Sequence, residues 1–117
     1  MDLTAVAQAD GAVVLQPSGR IDLLSAGELR QRLIDTIAAG QRRLVVDLEA
    51  VPFIDSSGLG ALIGGLKAAR LAGGDLRIAR PNAQVRTVLS LTTLDRVLRP
   101  YETVAAAVSG FADANGN

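Results

Sequence analysis

Two hydroxyls and a carboxylate stand side by side in Asp55-Ser56-Ser57-Gly58-Leu59-Gly60, and two further carboxylates, Asp22 and Asp47, lie upstream. A serine can act as a nucleophile only when a neighbouring base takes its proton. The chain has no histidine and no cysteine, which excludes a serine–histidine hydrolase, thiol catalysis, disulfides and most zinc or transition-metal sites. The Gly-x-Ser-x-Gly pattern of a nucleophile elbow is missing as well. Gly58-x-Gly60 followed by Gly64 has the wrong third spacing for a dinucleotide fingerprint, and Lys67 falls well inside the next helical pattern, not where a P-loop lysine belongs. Asp22, Asp47 and Asp55 could together hold Mg²⁺, but a loop turn, a strand end and a helix cap account for them as ordinary structural residues. No enzyme, metal or cofactor is expected from this set.

The serines can instead receive chemistry. A hydroxyl at a helix N-terminus lies beside unpaired backbone amides and the positive end of the helix dipole, so a phosphate is tolerated there. It would bring nearly two negative charges next to Asp55. The plainer alternative is that Ser56 or Ser57 caps the helix, a role worth ~1 kcal/mol. Local sequence leaves both open.

The elements around this stretch follow from periodicity and punctuation. Residues 3–8 and 12–16 are β-leaning runs separated by Ala9-Asp10-Gly11, a hairpin pattern, and Pro17 is expected to end the second run. Ser18-Gly19-Arg20-Ile21-Asp22 makes a loop into a first helix, opened by a Ser25-x-x-Glu28 capping box and stopped at Gly40. Leu29, Leu33, Ile34 and Ile37 form its apolar face. Residues 43–48 are almost continuously apolar, as a central strand covered on both faces would be. The second helix is expected from about Gly58 to Leu71, followed by a strand at residues 76–79. Asn82 caps a third helix carrying Val85, Val88 and Leu89. Residues 91–100 form a connector with Leu91, Leu94, Val97 and Leu98 to bury and room for a short edge strand. Thr103 caps a last helix with Val104, Ala107, Val108 and Phe111 inward. The order ββαβαβα(β)α demands an α/β domain with a mixed sheet and helical crossovers.

The second helix has an unusual outer face. Leu59, Leu62, Ile63 and Leu66 share its core side, and opposite them lie Ser57, Ala61, Gly64, Gly65 and Ala68. A wet face normally carries long charged side chains. Here nothing exceeds alanine, and each of the two glycines costs ~1 kcal/mol of helix stability against alanine. Either another helix of the domain packs closely on this face, or it is a flat docking surface for a partner protein. The docking surface, continuous with the serines, is the preferred reading, because the first helix already has its own well-formed apolar face.

At 117 residues, about half of them apolar, the chain is long enough for one domain with an ordinary core. We assign residues 1–112 to that domain and residues 113–117, small and polar, to a frayed tail. Three aromatics, zero net charge and dispersed basic residues speak against nucleic acid as a partner. No apolar run approaches the ~20 residues that span a bilayer, and Met1-Asp2-Leu3-Thr4 does not open a signal peptide, so a cytoplasmic protein without membrane insertion is expected.

The residues also resemble a family. The hairpin, Gly19-Arg20-Ile21-Asp22, the strand at residues 44–48, Phe53-Ile54-Asp55-Ser56-Ser57-Gly58-Leu59-Gly60 and Leu94-Asp95-Arg96-Val97 together resemble the STAS-domain anti-sigma factor antagonists of the SpoIIAA and RsbV type. The resemblance implies a single STAS domain with a mixed four- to five-stranded sheet and about four helices. It implies a bacterial regulator whose partner is an anti-sigma factor that is also a serine kinase of the histidine-kinase-like ATPase fold. The unphosphorylated antagonist captures that kinase and frees a sigma factor; phosphorylation breaks the complex, and a PP2C-type phosphatase restores it. By position the acceptor is Ser56, with Ser57 as runner-up, and Asp22 borders the site. Partner contacts are expected at Asp22, Asp55, Ser57, Gly58, Ala61, Gly64 and Gly65, and Leu23-Leu24 is more apolar than in many relatives. STAS domains also serve as non-switching subunits of stressosome-like or lipid-transport ABC complexes, which is the alternative.

Overall fold

The computed structural model describes residues 1–8 and 11–116, with residues 112–116 described as backbone alone. Ala9 and Asp10 of the hairpin turn and Asn117 of the tail lie outside the described residues.

The apolar run at the centre of the sequence becomes the centre of the sheet. Strands β1 (Asp2–Ala7), β2 (Val13–Ser18), β3 (Arg43–Asp47), β4 (Asp75–Ala79) and β5 (Pro100–Tyr101) lie side by side in that order. β1 and β2 pair antiparallel as the hairpin, and every later pairing is parallel. Alternation along the strands sends their side chains to two cores. Val13, Leu15, Leu44, Val46, Leu76 and Ile78 join one core, and Val14, Val45 and Ala79 the other. Leu44, Val45 and Val46 are completely buried, as a doubly covered strand requires.

Helices α1 (Ala26–Ala38), α2 (Ser56–Leu71) and α3 (Ala83–Leu91) cover the first face, contributing Leu29 and Leu33, Leu59, Leu62 and Leu66, and Val85 and Leu89. Helix α4 (Val104–Gly116) covers the second with Ala107 and Phe111, and Thr103 Oγ1 accepts from Ala106 N–H at 3.0 Å to cap it. This helix continues through residues 113–116, which the sequence set apart as tail.

Four local expectations are corrected. β2 runs through Pro17, which pairs with Leu3, because the last β2–β3 pair is Leu15–Val46 and beyond it β2 has a neighbour on one side only. Ser25 forms no capping box: its hydroxyl donates to the Arg20 carbonyl at 2.8 Å and accepts from Asp22 N–H at 3.0 Å, so it braces the loop before α1. Of the connector residues, Leu98 is buried and Leu94 partly so, but Leu91, which ends helix α3, and Val97, just past the 3₁₀ turn Leu94–Arg96, are 79% and 42% exposed. Helix α2 starts at Ser56, two residues before the expected Gly58, because Asp55 supplies the cap.

Asp47, itself buried, ends β3 in an ion pair with the partly exposed Arg80. Arg80, in the left-handed region at φ 55°, donates Nε and Nη2 to its two carboxylate oxygens at 3.1 and 2.6 Å and also pairs with Glu49. Gln16 Nε2 and the Glu49 amide complete the shell around Asp47. The hydrogen bonds to Asp47 raise the pKa of Arg80 above its usual value.

Candidate functional site

The site is built where the loop before α1 lies alongside the segment that leads into α2. Gly19, at φ +97°, turns the chain out of β2. Its amide donates to the Ala50 carbonyl, Ile21 N–H donates to the Phe53 carbonyl at 3.0 Å, and Asp55 N–H donates to the Ile21 carbonyl at 3.3 Å. Ile21 and Ile54 form a parallel bridge, and both are fully buried. Asp22, the residue after Ile21, is thereby brought alongside Asp55 and the start of α2.

Asp55 takes the extended conformation of an N-cap, and its Oδ1 accepts from Gly58 N–H at 3.0 Å. The cap is thus supplied by the aspartate, and both serines are released from that duty. Ser56 is exposed and Ser57 half-buried; neither hydroxyl has a hydrogen-bond partner among the described residues. As the first two helical residues they keep amides free of intrahelical bonds at the positive end of the dipole.

Asp22 is more constrained. Its Oδ1 accepts from Leu24 N–H at 3.0 Å, and Oδ2 lies 3.6 Å from Arg20 Nε, whose guanidinium stacks 4.0 Å above the Phe53 ring. The loop then offers Leu23 and Leu24 to solvent, 76% and 93% exposed.

Gly58 is a packing residue, since any β-carbon there would overlap the Ile21 carbonyl oxygen and Ile54 Cγ1. The small face of α2 is taken largely by α1, so the reading as an open docking surface is corrected. Ala61 and Gly65 are buried, and a β-carbon on Gly65 would lie 2.6 Å from Leu33 Cδ1. Gly64, half-buried, lies under the Arg30 side chain. The glycines let two helices approach closely, and burial of Leu33 between them offsets their cost to helix stability. Asp47 sits apart in its ion pair with Arg80, so Asp22, Asp47 and Asp55 do not converge on a metal.

Two contributors come from α3 and carry no motif. Gln84 Oε1 accepts from Ile54 N–H at 3.0 Å while its Nε2 donates to the Ile54 carbonyl at 2.9 Å, so one side chain pairs with this backbone as a strand would. Asn82 caps α3 through Val85 N–H as expected, and its Nδ2 also reaches the Val51 and Pro52 carbonyls. Both fasten residues 51–54, the rail on which Asp55 and Ser56 are mounted. Five cavities of about 190 to 390 Å³ are lined without Asp22, Asp55, Ser56 or Ser57.

A hairpin-opened mixed sheet with a capped, hydroxyl-bearing helix mouth after its central strand defines the class. The chain belongs to the STAS domain family, whose model matches residues 4–107. Within that family it is related to the anti-sigma factor antagonists, a non-catalytic regulatory group. The anti-sigma-F factor antagonist RsfB of Mycobacterium tuberculosis is 30% identical over 107 residues, covering 90% of this chain and 85% of RsfB. The crystal structure of TM1081 from Thermotoga maritima superimposes with a TM-score of 0.86 at 29% identity, covering 93% of each chain. The phosphorylated form of the Bacillus protein SpoIIAA shares the fold, with a TM-score of 0.70 at 20% identity over 92% of this chain and 97% of that one. Among the described residues no helix is long and apolar enough to cross a membrane.

Proposed function

We propose that this chain is a phosphorylation-switched anti-sigma factor antagonist, with Ser56 as the acceptor. It binds an anti-sigma factor that is also a serine kinase of the histidine-kinase-like ATPase fold, in the cytoplasm, and so releases a sigma factor. Phosphorylation of Ser56 by that kinase ends the complex, and a PP2C-type phosphatase renews it. The observation that carries the reading is the division of labour at the helix mouth. Asp55 caps α2, which leaves the exposed Ser56 hydroxyl without a structural duty.

The partner surface in this reading is Asp22, Ser56, Ser57 and the exposed part of Gly64, with Leu23 and Leu24 at its border. Gly58, Ala61 and Gly65 act from beneath, by letting the Ile21 loop and α1 lie close to α2. A phosphate on Ser56 would be accepted by the free amides of the first turn with little change of fold. It would add close to two negative charges beside Asp55 and Asp22, and a partner that fits the neutral hydroxyl would be repelled.

The test is capture of the kinase from a lysate of the source cells by immobilised chain, with and without ATP. The native chain should release it with ATP, Ser56→Ala should hold it through ATP, and Ser56→Asp should capture little. Equal capture by Ser56→Asp and the native chain would defeat the reading. Absence of phosphate on Ser56 in protein purified from those cells would favour a non-switching subunit of a stressosome-like or lipid-transport ABC complex.

A further inference from the structure

At the opposite end of the parallel strands from Ser56 the charge is one-sided. A cavity of about 190 Å³ between the end of α2, β4, the 3₁₀ turn and β5 is lined by Arg70, Arg77, Arg96 and Arg99. Asp75 is the one carboxylate in the same lining, so the cavity walls carry an excess of three positive charges in a chain whose net charge is zero.

The four arginines are not equivalent. Arg77 is a fixed wall: its side chain is 13% exposed, Nη1 donates to the Tyr101 hydroxyl at 2.6 Å, and the guanidinium lies over the Phe111 ring at 4.6 Å. Gly110 leaves the room for it, since a β-carbon there would collide with Arg77 Nη1. Asp75 is divided between Arg70 at 3.3 Å and Arg77 at 3.6 Å, and its Oδ1 also accepts from Leu76 N–H. Arg96 and Arg99 are exposed and have no acidic partner among the described residues. Cations collected in this way repel one another, and an anion between them removes that cost.

We propose that this cavity binds a phosphate-bearing anion, held between the fixed Arg77 and the unpaired Arg96 and Arg99. Guanidinium groups pair with phosphate oxygens through two parallel hydrogen bonds, which four point-like ammonium groups would not do. The volume is below the roughly 300–1,000 Å³ of ordinary ligand pockets and suits one or two phosphate groups. Arg77 also lies over one face of the Tyr101 ring, 5.4 Å from its centroid. The phosphate can arrive as a free anion or on a lipid headgroup. The lipid source is tested because Leu71 and Val97, each next to one of these arginines in sequence, are exposed.

The experiment is an amide NMR titration of the full chain with inorganic pyrophosphate at low ionic strength. Saturating shifts should be confined to residues 75–77 and 96–101. Arg96→Ala combined with Arg99→Ala should weaken the affinity by about tenfold or more without changing the thermal midpoint. Arg32→Ala combined with Lys67→Ala, which removes the same charge elsewhere on the surface, should leave it unchanged. Sedimentation with phosphatidylcholine vesicles with and without phosphatidylglycerol separates the sources. Binding to the anionic vesicles that depends on Arg96 and Arg99 assigns the phosphate to a headgroup, and pyrophosphate binding alone assigns it to a free anion. Shifts spread over all arginines, equal losses in the two double variants, or no binding in either arm would overturn the proposal.

Discussion

Gly58 and Ile21 meet backbone to backbone: the first turn of α2 lies so close to the Ile21 carbonyl that no β-carbon fits between them. This contact sets Asp22 beside the helix mouth and gives the glycine after the two serines a steric reason to be there. Gly58→Ala should therefore cost about 2 kcal/mol, because the alternative is to push the Ile21 loop off the helix. A urea titration measures the loss. A midpoint equal to that of the native chain would mean the loop yields freely.

Two other glycines of α2 should respond with opposite signs. Gly60 is exposed, and a β-carbon there meets nothing within 4 Å. Gly60→Ala should stabilise by about 0.5–1 kcal/mol, through helix propensity and a less flexible unfolded chain. Gly65 is wedged against Leu33 and Leu76, so Gly65→Ala should destabilise by about 1–3 kcal/mol in spite of the same gain in propensity. Thermal midpoints of the two variants would test the packing of α1 on α2, and a shift of the same sign in both would contradict it.

Capping and hydroxyl presentation should separate cleanly. Asp55→Ala removes the acceptor for Gly58 N–H and should cost about 1 kcal/mol, whereas Asp55→Asn, an equally good cap, should cost only a few tenths. Ser56→Ala should be within about 0.5 kcal/mol of neutral, as expected of an exposed residue with no side-chain partner. A Ser56→Ala loss as large as that of Asp55→Ala would return the serine to a structural role.

Gln84 supports the site from another helix. Gln84→Ala leaves the N–H and carbonyl of the fully buried Ile54 without the side chain that pairs with both, at a cost of about 2 kcal/mol. The specific readout is hydrogen exchange: the Ile54 amide should lose protection while those of β3 keep theirs. Unchanged exchange at Ile54 would show that its pairing with Gln84 is dispensable.

Much of this was legible in the chain because the signals are local. The alternating and continuous apolar runs marked β2, β3 and β4 by covering requirements that any sheet imposes, and the Asn82 and Thr103 caps formed as read. The capping box at Ser25 and Glu28 was misleading because Ser25 finds a nearer acceptor, the Arg20 carbonyl, inside a loop whose shape is set by Phe53 and Ile54. Gln84 was invisible because a glutamine in a first helical turn has no distinctive pattern; only the approach of α3 to residue 54 gives it a partner.

By itself, then, the sequence determined an α/β domain and a helix that begins beside Asp55, Ser56 and Ser57. It also determined the absence of the histidine and cysteine that serine–histidine or thiol catalysis would need. These follow from residue type, spacing and helix-end chemistry, all of which act within a few residues. The tertiary structure decided what each small residue is for. One run of glycines and alanines reads alike whether it faces a partner or a neighbouring helix, because periodicity marks a face and not its occupant. Packing put α1 on Gly65, the Ile21 carbonyl on Gly58 and Arg30 over Gly64, which leaves Ser56 open at the tip. It also gathered Arg70, Arg77, Arg96 and Arg99, dispersed in the chain, around one cavity at the far end of the sheet.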